Sequence, residues 1–279
     1  MGVPRYIAAA LKWVDLRPEV DPLAGTVRHD TRTSGLSLAD AAALECALRL
    51  GESWQLPVAA ITAGPPEARA VLRDAAGFGP TRLVHVAADR DAPSDAIARA
   101  LAPLLAGAAV VCCGDYSADR GSGSVPAFLA HHLQAAQALG LTSLAPEHPG
   151  SLVAQRRLDG GRRERLQVSA PAVISVEPGA AQLRRAPLSG LLAAGRAAVE
   201  TAAADQAPEY GSRVHLLRTT SYRPRPKVLA PPRDQLPRAR LLALTGALSE
   251  RMPPRVVRAA PEQAADQLIG YLTDNGYLG

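Results

Sequence analysis

Ala108-Ala-Val-Val-Cys-Cys-Gly-Asp-Tyr-Ser-Ala-Asp-Arg-Gly-Ser-Gly-Ser124 decides the fold. Val110 to Cys113 is an apolar run without polar alternation, the pattern of a strand buried on both faces. The segment Asp119-Arg-Gly-Ser-Gly-Ser124 then opens a helix predicted to run to about Ala138. The same alternation precedes it. Tyr6 to Leu11 reads as a first strand, Leu56 to Thr62 as a second and Arg82 to Val86 as a third. Between them lie helix signals. Ser37 caps a helix with Asp40 three residues on, and that helix is expected to reach about Leu50 and stop at Gly51. Pro65 starts the next and Gly79 ends it; a third spans about Ser94 to Leu105. Apolar strands alternating with helices predict an α/β fold, a mostly parallel sheet covered on both faces.

Beyond about Ser151 the pattern changes. Leu152 to Leu158 and Arg165 to Val168 flank Asp159-Gly-Gly161, a hairpin signal, and Ala172 to Val176 is a further short strand. Nine prolines lie between Pro208 and Pro261, which predicts an extended arm rather than a core. Order returns in a terminal helix: Ala264, Ala265, Leu268, Tyr271 and Leu272 fall at helical spacing, with Gly276 as the stop. The expected division is an α/β domain over residues 1–196 and a Pro/Arg-rich C-terminal arm over 197–279.

Charge follows this division. Arg213 to Arg258 holds eleven basic residues against two acids, a balance of +9, which leaves −4 for the rest of a chain whose net charge is +5. A basic arm on a mildly acidic body suits nucleic acid or an acidic partner surface. The arm is Pro-rich and poor in aromatics that could stack on bases, which favours the partner surface. Cys46, Cys112 and Cys113 show no metal-ligand spacing and read as buried thiols of a reducing cytoplasm. No signal peptide is expected, because Lys12 and Asp15 interrupt the only early apolar stretch. Ala100 to Gly114 is too short to span a bilayer and carries Pro103 and Gly107.

The carboxyl end of a parallel strand is where open α/β sheets bind ligands, and the Gly114 to Gly123 loop sits at such an end. Gly121 and Gly123 allow close backbone approach to an anion; Ser122 and the helix start offer donors. The loop lacks the Gly-Lys-Ser of a phosphate-binding P-loop and the repeated glycines of a dinucleotide fingerprint, and a bare strand–helix turn is the alternative. Asp115 and Asp119 would repel a phosphate and suit a ribose or base contact. Lys12, one of two lysines, either pairs with a phosphate or lies on the surface. His131 and His132 point in different directions from one helix and do not suit a shared metal. No nucleophile–base pairing or paired carboxylates stand out.

Four stretches resemble one family in order. Ala10-Leu-Lys-Trp-Val-Asp15 resembles the first strand of electron-transfer flavoprotein beta subunits, and Ala43 to Leu50 their following helix. Gly64-Pro65 through Leu72-Arg73 to Gly79, then Arg82 and His85, keeps the family spacing. Asp159-Gly-Gly161 with Ala170-Pro-Ala-Val173 resembles a fourth motif, so the resemblance covers roughly residues 5–196. More specifically, Lys12 to Asp21 and the segment around Gly114 to Pro126 resemble the divergent beta subunits associated with mycofactocin systems of actinobacteria.

The resemblance implies a doubly wound, Rossmann-like adenine-nucleotide-binding domain that pairs with an alpha subunit. It implies FAD held mainly by alpha, AMP or a second FAD in beta, and no catalytic residues in beta. It further implies dehydrogenases as electron donors, a membrane-bound quinone oxidoreductase as acceptor, and no nucleic acid. By position, the nucleotide contacts become Ala10, the turn of Ser37, Leu38, Ala39 and Asp40, then Ala63, and Gly114, Asp115, Tyr116, Asp119, Arg120, Gly121, Ser122 and Gly123. Leu16 takes the place of an aromatic residue that faces the flavin, and Leu188 matches the residue that anchors donor dehydrogenases. The family loop is shortened here, with Arg120-Gly-Ser-Gly123 in place of Asn-Gln-Thr-Gly donors. The lysine-rich stretch after the anchoring Leu is absent. A stand-alone adenine-nucleotide protein of the universal-stress type is the other reading, since it shares the strand–helix order and a late Gly-rich loop.

Overall fold

The computed structural model describes residues 6–202, 217–218, 236–245, 256 and 258–274. The first strand, β1, spans Tyr6–Ala10 and is followed by β2, Trp13–Asp15. An excursion the sequence did not announce comes next. β3 (Glu19–Val20) and β4 (Val27–Arg28) pair as a small exposed hairpin, and β5 (Ser34–Leu36) returns to pair antiparallel with β2. Asp15 anchors the excursion from its base. Its buried carboxylate accepts hydrogen bonds from the Thr33 hydroxyl and the N–H groups of Arg17 and Asp30. The Thr33 bond foremost, then that from Arg17, holds its pKa down to about 2.

Helix α1 spans Leu38–Trp54, capped by the Ser37 hydroxyl on the N–H of Asp40 at 3.1 Å. Gly51 does not stop it. The helix ends three residues later at Trp54, where Gln55 caps it in the left-handed conformation, φ 54°. β6 (Val58–Gly64) follows, then a short 3₁₀ turn from Pro66 leads into α2 (Arg69–Ala76). That helix ends before Gly79, whose φ of +105° serves the loop after it. β7 is Arg82–Ala87, α3 Ser94–Leu105 and β8 Ala108–Gly114.

Helix α4 occupies only Val125–Leu133. Gln134 at φ 48° ends it, and Ala136–Pro146 forms β9, so the helix expected to reach Ala138 is shorter and gives way to a strand. β10 (Ser151–Arg157) and β11 (Arg163–Ser169) form the expected antiparallel hairpin around Asp159-Gly-Gly161. Then come β12 (Ala172–Val176), the short helix α5 (Leu188–Ala194) and β13 (Glu200–Ala202).

The nine-stranded sheet runs β11-β10-β9-β12-β8-β1-β6-β7-β13. From β9 to β13 every neighbouring pair is parallel; only the hairpin edge is antiparallel. Side chains alternate between two cores, so both faces are buried. Ile7, Ala9, Ala60, Val110 and Cys112 face α1 and α2 residues such as Leu44, Leu48 and Leu72. Ala8, Ile61, Val111 and Cys113 face α3 and α4 residues such as Leu101, Leu105 and Leu129. Alanines in β1 leave room for helices to approach closely, which suits a chain with 4% aromatics. The fold is thus α/β and doubly wound, with β1 at the topological switch between β6 and β8.

Cys46, Cys112 and Cys113 are all buried and free. Burial pushes the Cys46 thiol up to about 11 and those of Cys112 and Cys113 higher still, which keeps them protonated and inert.

The chain divides into two units, Met1–Tyr222 and Arg223–Gly279. The sheet continues past residue 196 through Glu200–Ala202, with Arg82 and Glu200 paired at 2.8 Å between β7 and β13. In the second unit α6 spans Pro237–Thr245 and α7 Pro261–Asp274. Most of the expected arm between Pro208 and Pro261, and the Gly276 stop, lie outside the described residues. Among the described residues no helix is long and apolar enough to cross a membrane.

Candidate functional site

A crevice opens at the carboxyl ends of β1, β6 and β8, where the winding reverses. Its apolar floor comes from Ala10, Ala63, Ile97, Leu101 and Pro126. The Gly-rich loop after β8 forms one wall and the loop between β7 and α3 another.

Asp40 ties the crevice together. Although it starts a helix, its carboxylate does not close the ordinary reciprocal capping box. It accepts from the Ser37 hydroxyl at 2.7 Å and from the N–H groups of Gly114 and Lys12, joining α1 to the ends of β8 and β1. Gly114 is needed there: a Cβ would lie 2.9 Å from Asp40 Oδ1 and 3.1 Å from the Ala39 backbone. Burial pushes the Asp40 pKa up to about 6, against the Ser37 hydrogen bond, the Lys12 charge and the two N–H groups. The folded carboxyl therefore keeps its proton up to about pH 6, whereas the unfolded one loses it above 3.8. Folding takes up a proton in that window, so this group's contribution to stability falls as pH rises from about 4 to about 6. Asp40→Asn is expected to flatten this part of the profile. The stability difference between wild type and variant should shift by about 2 kcal/mol between pH 4.5 and 7.5, read by urea unfolding at each pH. An unchanged difference would sink the assignment.

Two cross-links brace the mouth. Lys12 Nζ donates to both oxygens of Asp119, at 2.6 and 2.7 Å, and to the Ser117 hydroxyl at 3.2 Å. Burial raises the Asp119 pKa, but the bonds from Lys12 and Ser117 outweigh it and hold the carboxyl below its ordinary value. Arg120 reaches across to the next loop, where its guanidinium donates to the carbonyls of Ala92 and Asp91, at 2.8 and 2.5 Å. Within that loop the Arg90 guanidinium sits 4.5 Å above the Trp13 ring, so a cation faces the crevice on an aromatic seat. The third side rests on His85, only 1% exposed. Arg69 Nε donates to its Nδ1, so Nε2 carries the proton and donates to the Gly64 carbonyl at 3.0 Å, fixing the Gly64–Pro65 turn.

The structure gathers Ala10, Asp40, Ala63, Gly114, Asp115, Tyr116, Asp119, Arg120, Ser122 and Gly123 around this crevice. Ser37, Leu38, Ala39 and Gly121 stand just behind it. Ser37 is the helix cap, Ala39 is buried against β8, Leu38 points outward at 77% exposure, and Gly121 shapes the loop with φ +63°. Leu16 is exposed in the β2–β5 excursion and Leu188 begins α5, also exposed; neither lines the crevice. Sequence reasoning passed over Trp13, Arg90, Ser175 and the bracing role of His85. Arg90 follows the third strand at its carboxyl end, a position that the strand-end rule would have flagged. Ser175 is a lone hydroxyl within the apolar strand Ala172–Val176, the composition cue for a specific partner.

A family model described as the electron transfer flavoprotein domain matches residues 25–207. Electron transfer flavoprotein subunit beta of Mycobacterium tuberculosis is 34% identical over 143 residues, 49% of this chain and 53% of that protein. Its counterpart in Mycobacterium leprae is 33% identical over the same span. Protein FixA of Rhizobium meliloti is 30% identical over 191 residues, 64% of this chain and 65% of FixA.

The chain belongs to the electron transfer flavoprotein beta family. It spans about half the length of the mycobacterial relatives it matches. Within this electron transfer flavoprotein beta chain, the family match takes in α1, the parallel strands from β6 onward and the whole Gly-rich loop, hence three of the crevice's walls. Among the described residues no group of three or more His, Cys, Asp or Glu could hold a metal ion.

Proposed function

We propose that this chain is the beta half of a heterodimeric electron-transfer flavoprotein, holding an adenine nucleotide in the crevice and completing the FAD site of an alpha subunit. The observation that carries this is the crevice itself. It lies at the switch point of a doubly wound sheet, with an apolar floor for a base and cations for a phosphate at Arg90 and Arg120. The residues present fit a nucleotide. Gly123 has φ +57°, and the N-terminus of α4 has no side-chain cap, which leaves its N–H groups for an anion. Asp115, Ser122 and Tyr116 offer neutral or acceptor contacts for ribose or base. AMP is the ligand these residues suit; a second FAD is the larger alternative.

Partner contact is read from the same sheet edge, where Leu16, Leu38 and Tyr116 are exposed apolar groups. Leu16 faces the flavin of the alpha subunit in this reading, and the basic segment Arg213 to Arg258 wraps that subunit. Leu188, 74% exposed at the start of α5, is the anchor for donor dehydrogenases, among them mycofactocin-linked ones. When bound, FAD supplies the electron chemistry. This chain contributes binding, orientation and the polarity around the cofactor, with no catalytic residue of its own. Electrons pass on to a membrane-bound quinone oxidoreductase, and the pair works in the cytoplasm.

Co-expression with the product of the neighbouring gene is expected to give a yellow one-to-one complex. Denaturing that complex should release FAD together with a second adenine nucleotide, identified by mass. A colourless chain that runs alone on gel filtration, with or without the neighbour, defeats the reading.

A further inference from the structure

Asp115 is held in a way that nothing in the fold requires. Its N–H continues the ladder to Val176, donating to that carbonyl at 3.0 Å, so the backbone needs no help from the side chain. Yet the Ser175 hydroxyl donates to Asp115 Oδ1 at 2.9 Å, and the same hydroxyl accepts from the Gly140 N–H at 2.9 Å. Ser175 is 1% exposed, so its single proton is committed to this carboxylate. Gly140 takes φ +68°, and the pairing of β9 with β12 slips between Ile174 and Val176, at Ser175. An irregularity in one strand thus feeds a hydrogen bond through a second strand to the end of a third.

Among the described residues no protein donor reaches Asp115 Oδ2, and Asp115 lines the crevice. An oriented carboxylate with a spare oxygen accepts hydrogen bonds and repels anions. The cations stand elsewhere. In the sheet order, Ser175 and Asp115 lie on the β12 side of β8, whereas Arg90 and the carbonyls that hold Arg120 belong to the loop after β7, on the far side of β1. The Asp115 acceptor thus stands at one end of the crevice and Arg90 and Arg120 at the other, with Lys12, also in the lining, already paired to Asp119.

We infer that Asp115, positioned by Ser175, is the specificity-determining residue of the crevice, selecting its ligand by accepting hydrogen bonds from a neutral donor. This rests on the nucleotide reading above. The donor is either the ribose hydroxyl pair or the exocyclic amine of the base, and the bound phosphate lies away from Asp115.

Calorimetric titration of the full-length chain, in its co-purified complex, with AMP, 2′-deoxy-AMP, 3′-deoxy-AMP and inosine monophosphate tests this. Wild type is expected to bind AMP at least about tenfold more tightly than one analogue set. Loss with the deoxy nucleotides identifies the ribose, and loss with inosine monophosphate the amine. Asp115→Asn and Ser175→Ala should each bring that ratio to within about threefold, while Ser175→Thr, which keeps the hydroxyl, retains it. A merely structural role would lower affinity for all four ligands alike and leave the ratio unchanged, which overturns the inference while the nucleotide reading stands. Wild type that binds none of the four overturns both. Should Asp115→Asn fail to fold, the Ser175 pair decides the question.

Discussion

Gly123→Ala is expected to weaken nucleotide binding at least about thirtyfold while Gly121→Ala weakens it only about fivefold. Both glycines sit in the loop that walls the crevice, and both have left-handed backbones, φ +57° and +63°. An alanine in that conformation costs about 1 kcal/mol at either position, or about fivefold. The positions then part company. A Cβ at Gly121 meets nothing closer than the Ser117 carbonyl at 3.9 Å, an ordinary contact. A Cβ at Gly123 would lie 2.6 Å from the Asp115 carbonyl oxygen, a backbone atom of a residue whose own N–H is bonded to Val176 of β12, so it yields only by moving the strand end. The loop must therefore rebuild away from Asp115, carrying Arg120 off its carbonyls and Asp119 off Lys12. The fold should persist, because none of these contacts lies in either core. Titration with AMP and a thermal melt on each variant decide it. Equal losses at the two sites would show that this crowding carries no weight.

The contrast also marks what the sequence made legible. Val58–Gly64, Ala108–Gly114 and Ala172–Val176 were readable as strands because burial on both faces leaves continuous apolar runs. Ser37 and Asp40 were readable because a helix start is a local event. Ala136–Pro146 was not. It is half-exposed, interrupted by Gly140, and follows a helix whose end is set by Gln134 in the left-handed conformation, which no residue type announces. The candidate site divides in the same way. Its loop glycines sit within ten residues and could be seen together. The contacts that tune it join residues far apart in the chain: Ser175 to Asp115 over 60 residues, Lys12 to Asp119 over 107, Arg120 to Asp91 over 29. Periodicity carries no signal for such pairs, and only the sheet order brings them together.

Gly51 shows how a correct local rule gives a wrong boundary, and its substitution carries a large expected effect on stability. A glycine after an amphipathic run reads as a helix stop. Here it lies inside α1, and by helix propensity alone Gly51→Ala would stabilise by about 1 kcal/mol. The opposite is expected. A Cβ at this position would stand 2.5 Å from Val58 Cγ2 and 2.9 Å from the Leu56 carbonyl, where the chain turns back against its own helix to begin β6. Val58 is stiff at its β-branch and buried, and Leu56 offers a backbone oxygen, so neither can swing aside. Overpacking of this kind costs roughly 3 kcal/mol, which outweighs the propensity gain and leaves a net loss of about 2 kcal/mol, or about 6 °C in Tm. The strain should also travel. α1 is one rigid element: Gly51 seats its carboxyl end against β6, and Asp40 at its other end holds Gly114 and Lys12. Pushing the helix away at Gly51 loosens the crevice through Asp40, so Gly51→Ala should weaken AMP binding although residue 51 lines no part of it. Denaturant unfolding with a parallel AMP titration measures both effects. A variant as stable as wild type would mean that the return to β6 has slack, and with it the link from helix to site would fail.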